Sequence, residues 1–305
     1  MVVPVYNEQE CLHELVGRLR VVLERCASTW EVLMVDDGST DASRGLIKAI
    51  CEADDRFRYV LLSRNFGQQI AYQAGTERAL GAVVVLIDAD LQDPPELIAQ
   101  LLEKYREGYE VVIATRGQRA GESMMKKATA QLFYRLMKRL AKVEIPMNAG
   151  DFRVMSKRVA MTLGKMPERN KFLRGQIAWM GLPCAEVLYD RESRKGGKSH
   201  FTTSKMVRLA LDAITSFSDL PLRIASVMGF VVAGTTFLVA LYALYSRFVL
   251  KDYVPGWTSL ILTVLFLGGV QLACLGIIGE YLGRISQDVK GRPLYIVEEE
   301  SRGSE

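Results

Sequence analysis

Two apolar stretches, residues 224–250 and 259–278, limit what this chain can fold into more than any other feature of it. The second holds no charged residue, and the first only Arg247, near its end. A helix needs about 20 apolar residues to cross a hydrocarbon core of about 30 Å, and each stretch is long enough. Two helices buried in a soluble core would be the alternative, but uncharged runs of this length are rare there. Arg191, Arg194, Lys195, Lys198, Lys205, Arg208 and Arg223 precede the pair, and Arg284, Lys290 and Arg292 follow it. The join, 246–257, carries only Arg247, Lys251 and Asp252, with Tyr242, Tyr245, Tyr253 and Trp257 gathered around it. Positive charge is retained in the cytoplasm and aromatic rings settle at the interface. The pattern therefore predicts two transmembrane helices, a short external loop, and both termini in the cytosol.

On this reading the formal net charge of +4 is a matter of membrane orientation and not a footprint for nucleic acid. Cys11, Cys26, Cys51, Cys184 and Cys274 are scattered, odd in number and never in a Cys-x-x-Cys pair, which suits reduced, buried or membrane thiols facing the cytosol. Having His13 and His200 as the only histidines argues against a zinc site or a Ser-His-Asp triad as the working chemistry. No cleavable leader precedes the first strand signal, which begins at Val2; a strand starting so early suggests a natural start a few residues upstream.

Before the spans, strand and helix signals alternate. Apolar runs at 2–5, 32–35, 59–62, 83–87 and 111–114 read as strands, and the segments between them as helices. Asn7 is placed to cap a helix whose first turn holds Glu8 and Glu10, and the turn 36–41 opens a helix over 42–51. Repeated βα units with short joins predict a mostly parallel, Rossmann-like α/β sheet with helices on both faces. The spacing divides the chain into a domain over 1–203, a juxtamembrane amphipathic segment over 204–223, the paired spans over 224–283, and a cytosolic tail over 284–305. A basic amphipathic helix over 123–143 is either an ordinary surface helix or an element suited to the lipid interface, and 204–218 is a second of the kind.

The fourth apolar run ends in Asp88-Ala89-Asp90-Leu91-Gln92-Asp93-Pro94-Pro95-Glu96. If the strand continues, alternation points Asp88 and Asp90 the same way, at the carboxyl end where open α/β sheets bind ligands. Mg²⁺ or Mn²⁺ would find oxygen ligands there, completed by a substrate's phosphates. Two acids merely ending a strand remain the alternative. Asp93, followed by Pro94, Pro95 and Glu96, reads as a helix N-cap with a capping box.

Four ordered motifs carry a resemblance: Val3-Pro4-Val5-Tyr6-Asn7-Glu8, Val35-Asp36-Asp37-Gly38-Ser39-Thr40-Asp41, the Asp88–Glu96 segment, and Gly150-Asp151-Phe152-Arg153. Together they resemble family 2 glycosyltransferases of the GT-A fold, in the polyprenyl-phosphate branch that includes dolichyl-phosphate mannose synthase and the bactoprenol glucosyltransferases. The paired spans and the Gly-Arg-Pro-Leu-Tyr segment after them match the latter in layout. The Gln-x-x-Arg-Trp motif of processive synthases is missing at Gln176-Ile177-Ala178-Trp179-Met180.

The resemblance implies transfer of a sugar, with inversion, from a nucleotide-sugar such as UDP-glucose to undecaprenyl phosphate at the bacterial cytoplasmic membrane. Formamido-arabinose and mannose are the next sugars in line, and an inactive membrane-tethered binding protein is the alternative of another class. It implies that Pro4, Tyr6, Glu8, Asp37, Asp88 and Arg116 hold the nucleotide-sugar and that Asp90 and Gln92 bind Mg²⁺ or Mn²⁺. Arg153, Arg174, Arg191, Arg194 and Lys198 would meet the lipid phosphate or diphosphate. Asp36 ranks below Asp37 because it can cap the following turn, and Gln92 shares a face with Asp90 only if extension continues. Asp151 stands where the family places a catalytic base, with Arg153 beside it. A phosphate monoester has its second pKa at about 6, however, and needs little deprotonation, so Asp151 can equally orient the acceptor or Arg153. Relatives also imply a homo-oligomer such as a tetramer, with 293–297 adding a strand to a neighbour.

Overall fold

The computed structural model describes residues 1–117, 149–166, 168–169, 171–189, 220–245 and 256–301. The amphipathic segments at 123–143 and 204–218, the loop bearing Arg191, Arg194 and Lys198, and most of the join 246–257 lie outside them. The chain forms two compact units, Met1–Ala210 with Arg292–Glu305, and Leu211–Gly291.

In the first unit the chain runs β1 (Val2–Val5), α1 (Leu12–Cys26), β2 (Val32–Asp36), α2 (Ser43–Ala53), β3 (Phe57–Leu62), α3 (Gln68–Arg78), β4 (Val83–Leu86), a 3₁₀ turn (Pro95–Leu97), α4 (Ile98–Arg106) and β5 (Val111–Arg116). It continues as β6 (Ala149–Ser156), α5 (Lys157–Lys165), α6 (Leu173–Trp179) and β7 (Cys184–Tyr189). The second unit holds α7 (Leu220–Tyr245) and α8 (Trp257–Val289), after which β8 (Val297–Glu300) returns to the first. The strands form one sheet in the order β7-β5-β6-β4-β1-β2-β3-β8. The β3-β2-β1-β4 block is parallel throughout, β6 lies antiparallel between β4 and β5, and β8 is antiparallel at the β3 edge.

Central parallel strands are covered on both faces, which is why β1 and β2 read as unbroken apolar runs. Alternation sends Val3, Val5 and Met34 into a core beneath α1, α2 and α4, and Val2, Leu33 and Val35 into a second core beneath α3, α5 and α6. The chain builds β1, β2 and β3 outward and then crosses back to place β4 on the other side of β1. That reversal opens a crevice at the carboxyl ends of β1 and β4, where sheets of this kind bind ligands.

Several sequence expectations are corrected. Asn7 does not cap α1, which starts at Leu12; it takes a left-handed backbone, φ 56°, and its Oδ1 accepts the Thr40 amide at 2.8 Å. The strand expected over 83–87 stops at Leu86, so Asp88 follows it in irregular backbone and Asp90 lies in a turn. Gly150-Asp151-Phe152-Arg153 lies within strand β6. The C-terminal strand β8 pairs antiparallel with β3 of its own chain. Cys184 is exposed on the edge strand β7, while the other four cysteines are half-buried; all five are free thiols.

Among the described residues, α8 contains a stretch long and apolar enough to cross a membrane, Phe266–Gly283, and the apolar part of α7, Ile224–Val239, is shorter. Both helices expose large apolar side chains, among them Phe230, Phe237, Phe266 and Leu272. Within this unit the Cys274 thiol donates to the Ala225 carbonyl at 3.5 Å.

One glycine fixes how α3 sits. A Cβ at Gly75 would stand 2.3 Å from Val2 Cγ1 and 2.9 Å from Val35 Cγ2, so only a bare Cα lets α3 settle onto β1 and β2. Gly75→Ala gains about 1 kcal/mol of helix propensity, but overpacking a well-filled core typically costs about 1–3 kcal/mol. Neither valine can retreat within a buried sheet. The expected outcome is a net loss of stability, read as a lower midpoint in a urea titration of the full chain in detergent; an unchanged or higher midpoint would contradict this packing.

Candidate active site

The crevice is built from the ends of β1, β2 and β4 and the starts of α3 and β6. Pro4 is buried in β1, and Tyr6, 46% exposed, stands at its carboxyl end. The backbone amides of Asn7 and Glu8 donate to the hydroxyls of Ser39 and Ser43, at 3.0 and 3.1 Å, which locks the turn after β1 to the turn after β2. Asp36 caps that second turn, accepting from the Gly38 and Ser39 amides, and forms an ion pair with Arg44 at 2.8 Å. Asp37 behaves differently. Its two carboxylate oxygens accept the Phe66 and Gly67 amides at 2.7 and 2.9 Å, so it anchors the entry to α3. Burial pushes its carboxyl above the ordinary range in spite of these bonds.

The Asp88–Glu96 segment turns sharply. Asp90 Oδ1 accepts the Gln92 amide at 3.1 Å, and Leu91 takes a left-handed φ of 55°. Extension therefore does not carry Gln92 onto the face of Asp90, and Gln92 is buried. Asp93 is not a helix cap: its carboxylate accepts the Tyr189 hydroxyl in the buried core, across from β7. Glu96 closes no capping box either, since both its oxygens meet Arg18, at 2.9 and 2.6 Å.

Asp151 reaches the same place by register. β6 pairs Leu86 with Arg153, so Asp88 and Asp151 each lie two residues beyond the last pair, and Asp88 feels the charge of Asp151. Asp88 Oδ1 accepts from the Tyr72 hydroxyl and from Gln68 Nε2, both at 2.5 Å. Burial first, then the charge of Asp151, raises the Asp88 carboxyl to about 7; Asp90 and Asp93 add to this, and the Tyr72 hydrogen bond works against it. Tyr72 is fully buried, and burial together with the same two acids keeps it a protonated donor.

Burial alone would raise Asp151 as well. Arg174 and Arg153 outweigh it and hold its carboxyl below the ordinary range. Arg174, on α6, meets both oxygens at 3.1 and 3.2 Å, Arg153 Nη2 lies 3.2 Å from Oδ1, and Gln69 Nε2 lies 3.1 Å from Oδ2. The expectation that Arg153 meets phosphate directly is corrected here. Its side chain has no exposed surface; it bonds the Gly150 and Asp151 carbonyls and Asp151 itself, and only Nη1 is left without a partner. Arg174, with 32% of its side chain exposed, is the arginine of the pair that faces outward. Arg116 closes β5 opposite Tyr189 in register. Gln68, Gln69 and Tyr72 are site residues that sequence reasoning missed. The available signal was a helix start with adjacent glutamines and a tyrosine three and four residues on, in an otherwise buried helix.

The donor chemistry fits a hard divalent cation. Asp88 and Asp90 offer oxygens, and Asp151 adds a third negative group acting on Asp88, a grouping that a cation would offset. Among the described residues no group of three or more His, Cys, Asp or Glu side chains is placed to hold an ion. These carboxylates thus suit an ion that takes its remaining ligands from a diphosphate.

The model of the family described as glycosyl transferase family 2 matches residues 1–164. The chain is 40% identical over 304 residues to the SfII prophage-derived bactoprenol glucosyl transferase of Shigella flexneri, an alignment covering 100% of this chain and 98% of that one. It is 44% identical over 298 residues to the uncharacterized glycosyltransferase YkcC of Bacillus subtilis (strain 168), with 98% and 92% of the two chains covered. Among solved structures, glucosyl-3-phosphoglycerate synthase from Mycobacterium tuberculosis in complex with Mn²⁺, UDP and glucosyl-3-phosphoglycerate aligns with a TM-score of 0.51 at 19% identity, over 70% of this chain and 76% of that one. A likeness at that identity establishes a common GT-A-like fold.

The buried Arg153 guanidinium depends on one carboxylate, and removing one partner of a buried pair costs about 3–5 kcal/mol. Asp151→Asn is expected to lose stability on that scale in denaturant titration of the full chain. Arg153→Met combined with Asp151→Asn should recover a large part of the loss, because the uncompensated charge is gone. If the double variant is no more stable than Asp151→Asn, the pair does not carry this energy.

Proposed function

The chain belongs to glycosyl transferase family 2, and from that premise we propose that it transfers a sugar, glucose first among candidates, from a UDP-sugar to undecaprenyl (polyprenyl) phosphate at the cytoplasmic face of a bacterial membrane. The observation that carries this reading is the pairing of two unlike charge centres in one crevice: the acidic Asp88–Asp90 turn, and Arg174 held on Asp151. The first suits a nucleotide diphosphate with its cation, the second a phosphate monoester. Relatives that align over nearly the whole of both chains, several of them named bactoprenol glucosyl transferase, support the acceptor.

In this reading Tyr6, Glu8 and Asp88 line the nucleotide side, and Asp90 is the principal ligand for Mg²⁺ or Mn²⁺. A bound cation would offset the charge that develops on the departing nucleotide. Arg174 orients the lipid phosphate for attack on the anomeric carbon from the face opposite the nucleotide, which inverts the centre. Asp151 holds Arg174 and Arg153 and does not remove a proton. Its depressed pKa makes it a weak base, and the acceptor, with a second pKa of about 6, is already anionic at neutral pH. Arg191, Arg194 and Lys198 add positive charge for the two phosphorylated substrates. In this reading α8 crosses the membrane and α7 crosses it too, although its apolar part among the described residues is shorter, so that enzyme and lipid acceptor meet within one surface.

The test is turnover by the purified full chain with undecaprenyl phosphate, Mn²⁺ or Mg²⁺ and a panel of nucleotide-sugars, the lipid product being weighed by mass spectrometry. UDP-glucose is expected to give a hexosyl-phosphoryl lipid, chelation to stop the reaction, and Asp90→Asn to lower kcat by at least about a hundredfold. Nucleotide binding without turnover of any donor would overturn the proposal.

A further inference from the structure

Two adjacent glutamines at the start of α3 each reach a different charge centre. Gln68 Nε2 donates to Asp88 Oδ1 at 2.5 Å. Gln69 Nε2 donates to Asp151 Oδ2 at 3.1 Å, while its Oε1 accepts the Leu173 amide at 3.4 Å. Leu173 opens α6, and Arg174 follows it. One amide side chain therefore spans three elements: the helix it stands on, the strand bearing Asp151, and the first turn of the helix that presents Arg174. Helix α6 has no side-chain cap, and its opening amides have no partner within the helix; Gln69 supplies one.

The side-chain amide is the group this position requires. It donates to a carboxylate and accepts from a backbone N–H at the same time, which a carboxylate, an ammonium or a hydrocarbon at that length cannot do. Gln68 has a simpler task, sharing Asp88 Oδ1 with the Tyr72 hydroxyl. Both depend on the same short stretch of backbone, which Asp37 secures through the Phe66 and Gly67 amides.

We propose that Gln68 and Gln69 are positioning residues that divide the site between its two substrates, Gln68 setting the Asp88 carboxylate for the nucleotide-sugar, and Gln69 clamping Asp151 and the first turn of α6 so that Arg174 meets the acceptor's phosphate. The division of labour rests on the functional reading above; the clamp itself rests on the geometry alone. Gln69 acts through Asp151 and Arg174 and touches no reacting atom. Its loss should therefore be felt in one substrate's KM and not the other's.

Two measurements on the full chain test this. The first is steady-state kinetics with UDP-glucose and undecaprenyl phosphate as the varied substrates. Gln69→Ala and Gln69→Glu should each raise the acceptor KM by about ten- to a hundredfold, the range for losing a hydrogen bond to a charged group, with the donor KM changed less than about twofold. Gln68→Ala should show the reverse, a donor KM raised by about five- to tenfold, since Tyr72 still holds Asp88. The second is hydrogen exchange at the Leu173 amide, which needs no turnover. Exchange should quicken in Gln69→Ala, stay near wild type in Gln69→Glu, whose carboxylate still accepts that N–H, and stay unchanged in Gln68→Ala. A wild-type chain that turns over no donor defeats the functional reading, while Leu173 exchange still decides the clamp. Active variants in which both KM values move together, or a Leu173 amide indifferent to Gln69→Ala, overturn the proposal.

Discussion

The approach of α3 to the sheet is the constraint on which the rest of the site depends. Gly75 brings the helix against Val2 and Val35 more closely than any side chain would permit. From that seat the first turn of α3 reaches over the carboxyl ends of β1 and β4, and Gln68, Gln69 and Tyr72 come within hydrogen-bonding distance of acids on two other elements. Were the helix displaced outward by a methyl group, those bonds would lengthen beyond useful range, because their donors are held on a rigid element. Asp37 fixes the other end of the same lever. Its buried carboxylate binds the two amides just before α3, and the left-handed Gly38 lets the turn after β2 pass against Arg64 and Asn65, where a Cβ would stand 2.4 Å from the Arg64 carbonyl carbon.

Electrostatics then divides the crevice into two halves. Asp88 feels the charge of Asp151, and like charges close together in a partly dry site cannot both be stable without compensation. The two acids solve the problem in opposite ways. Asp151 has two arginines and stays ionised below the usual range, whereas Asp88 has only neutral donors and is raised to about 7. A site arranged in this manner is selective in what it can accept: the Asp88 side gains from a cation, and the Arg174 side from an anion. Two phosphorylated substrates of which only one carries a metal ion meet that requirement. A single neutral ligand would leave both charge imbalances in place.

Much of this architecture was legible from the sequence, and the parts that were not share a cause. Apolar runs located β1, β2, β3, β4 and β5, because periodicity is a local property. Local rules also suggested that Asp93 caps a helix, that Asn7 caps α1, and that Asp90 and Gln92 share a strand face. The first two failed where a distant partner prevailed, Tyr189 for Asp93, and Thr40 and Ser39 for Asn7; the third failed locally, where the Gln92 amide turns back onto Asp90. The left-handed Leu91 is strained backbone held in place by its surroundings, which no propensity foretells. Antiparallel insertion of β6 was equally hidden, and with it the enclosure of Arg153, since nothing within Gly-Asp-Phe-Arg distinguishes a buried strand arginine from one that faces solvent.

The C-terminal segment ties the chain leaving α8 into this arrangement. Within the segment read as a tail, β8 extends the sheet at β3, with Glu298 on Arg44, Glu299 on Lys48 and Glu300 on Arg78. Singly, such surface pairs are worth little. What matters is where the arginines stand. Arg44 also binds Asp36, which caps the turn after β2, and donates to the Leu62 carbonyl; Arg78 lies on α3 and donates to the Tyr295 hydroxyl, which in turn meets Glu77. The last strand to join the sheet thus holds both the turn that carries Asp37 and the helix that carries Gln68 and Gln69. Any loosening of β8 would be felt first at those two elements, because the pairs that secure its edge are the pairs that secure them.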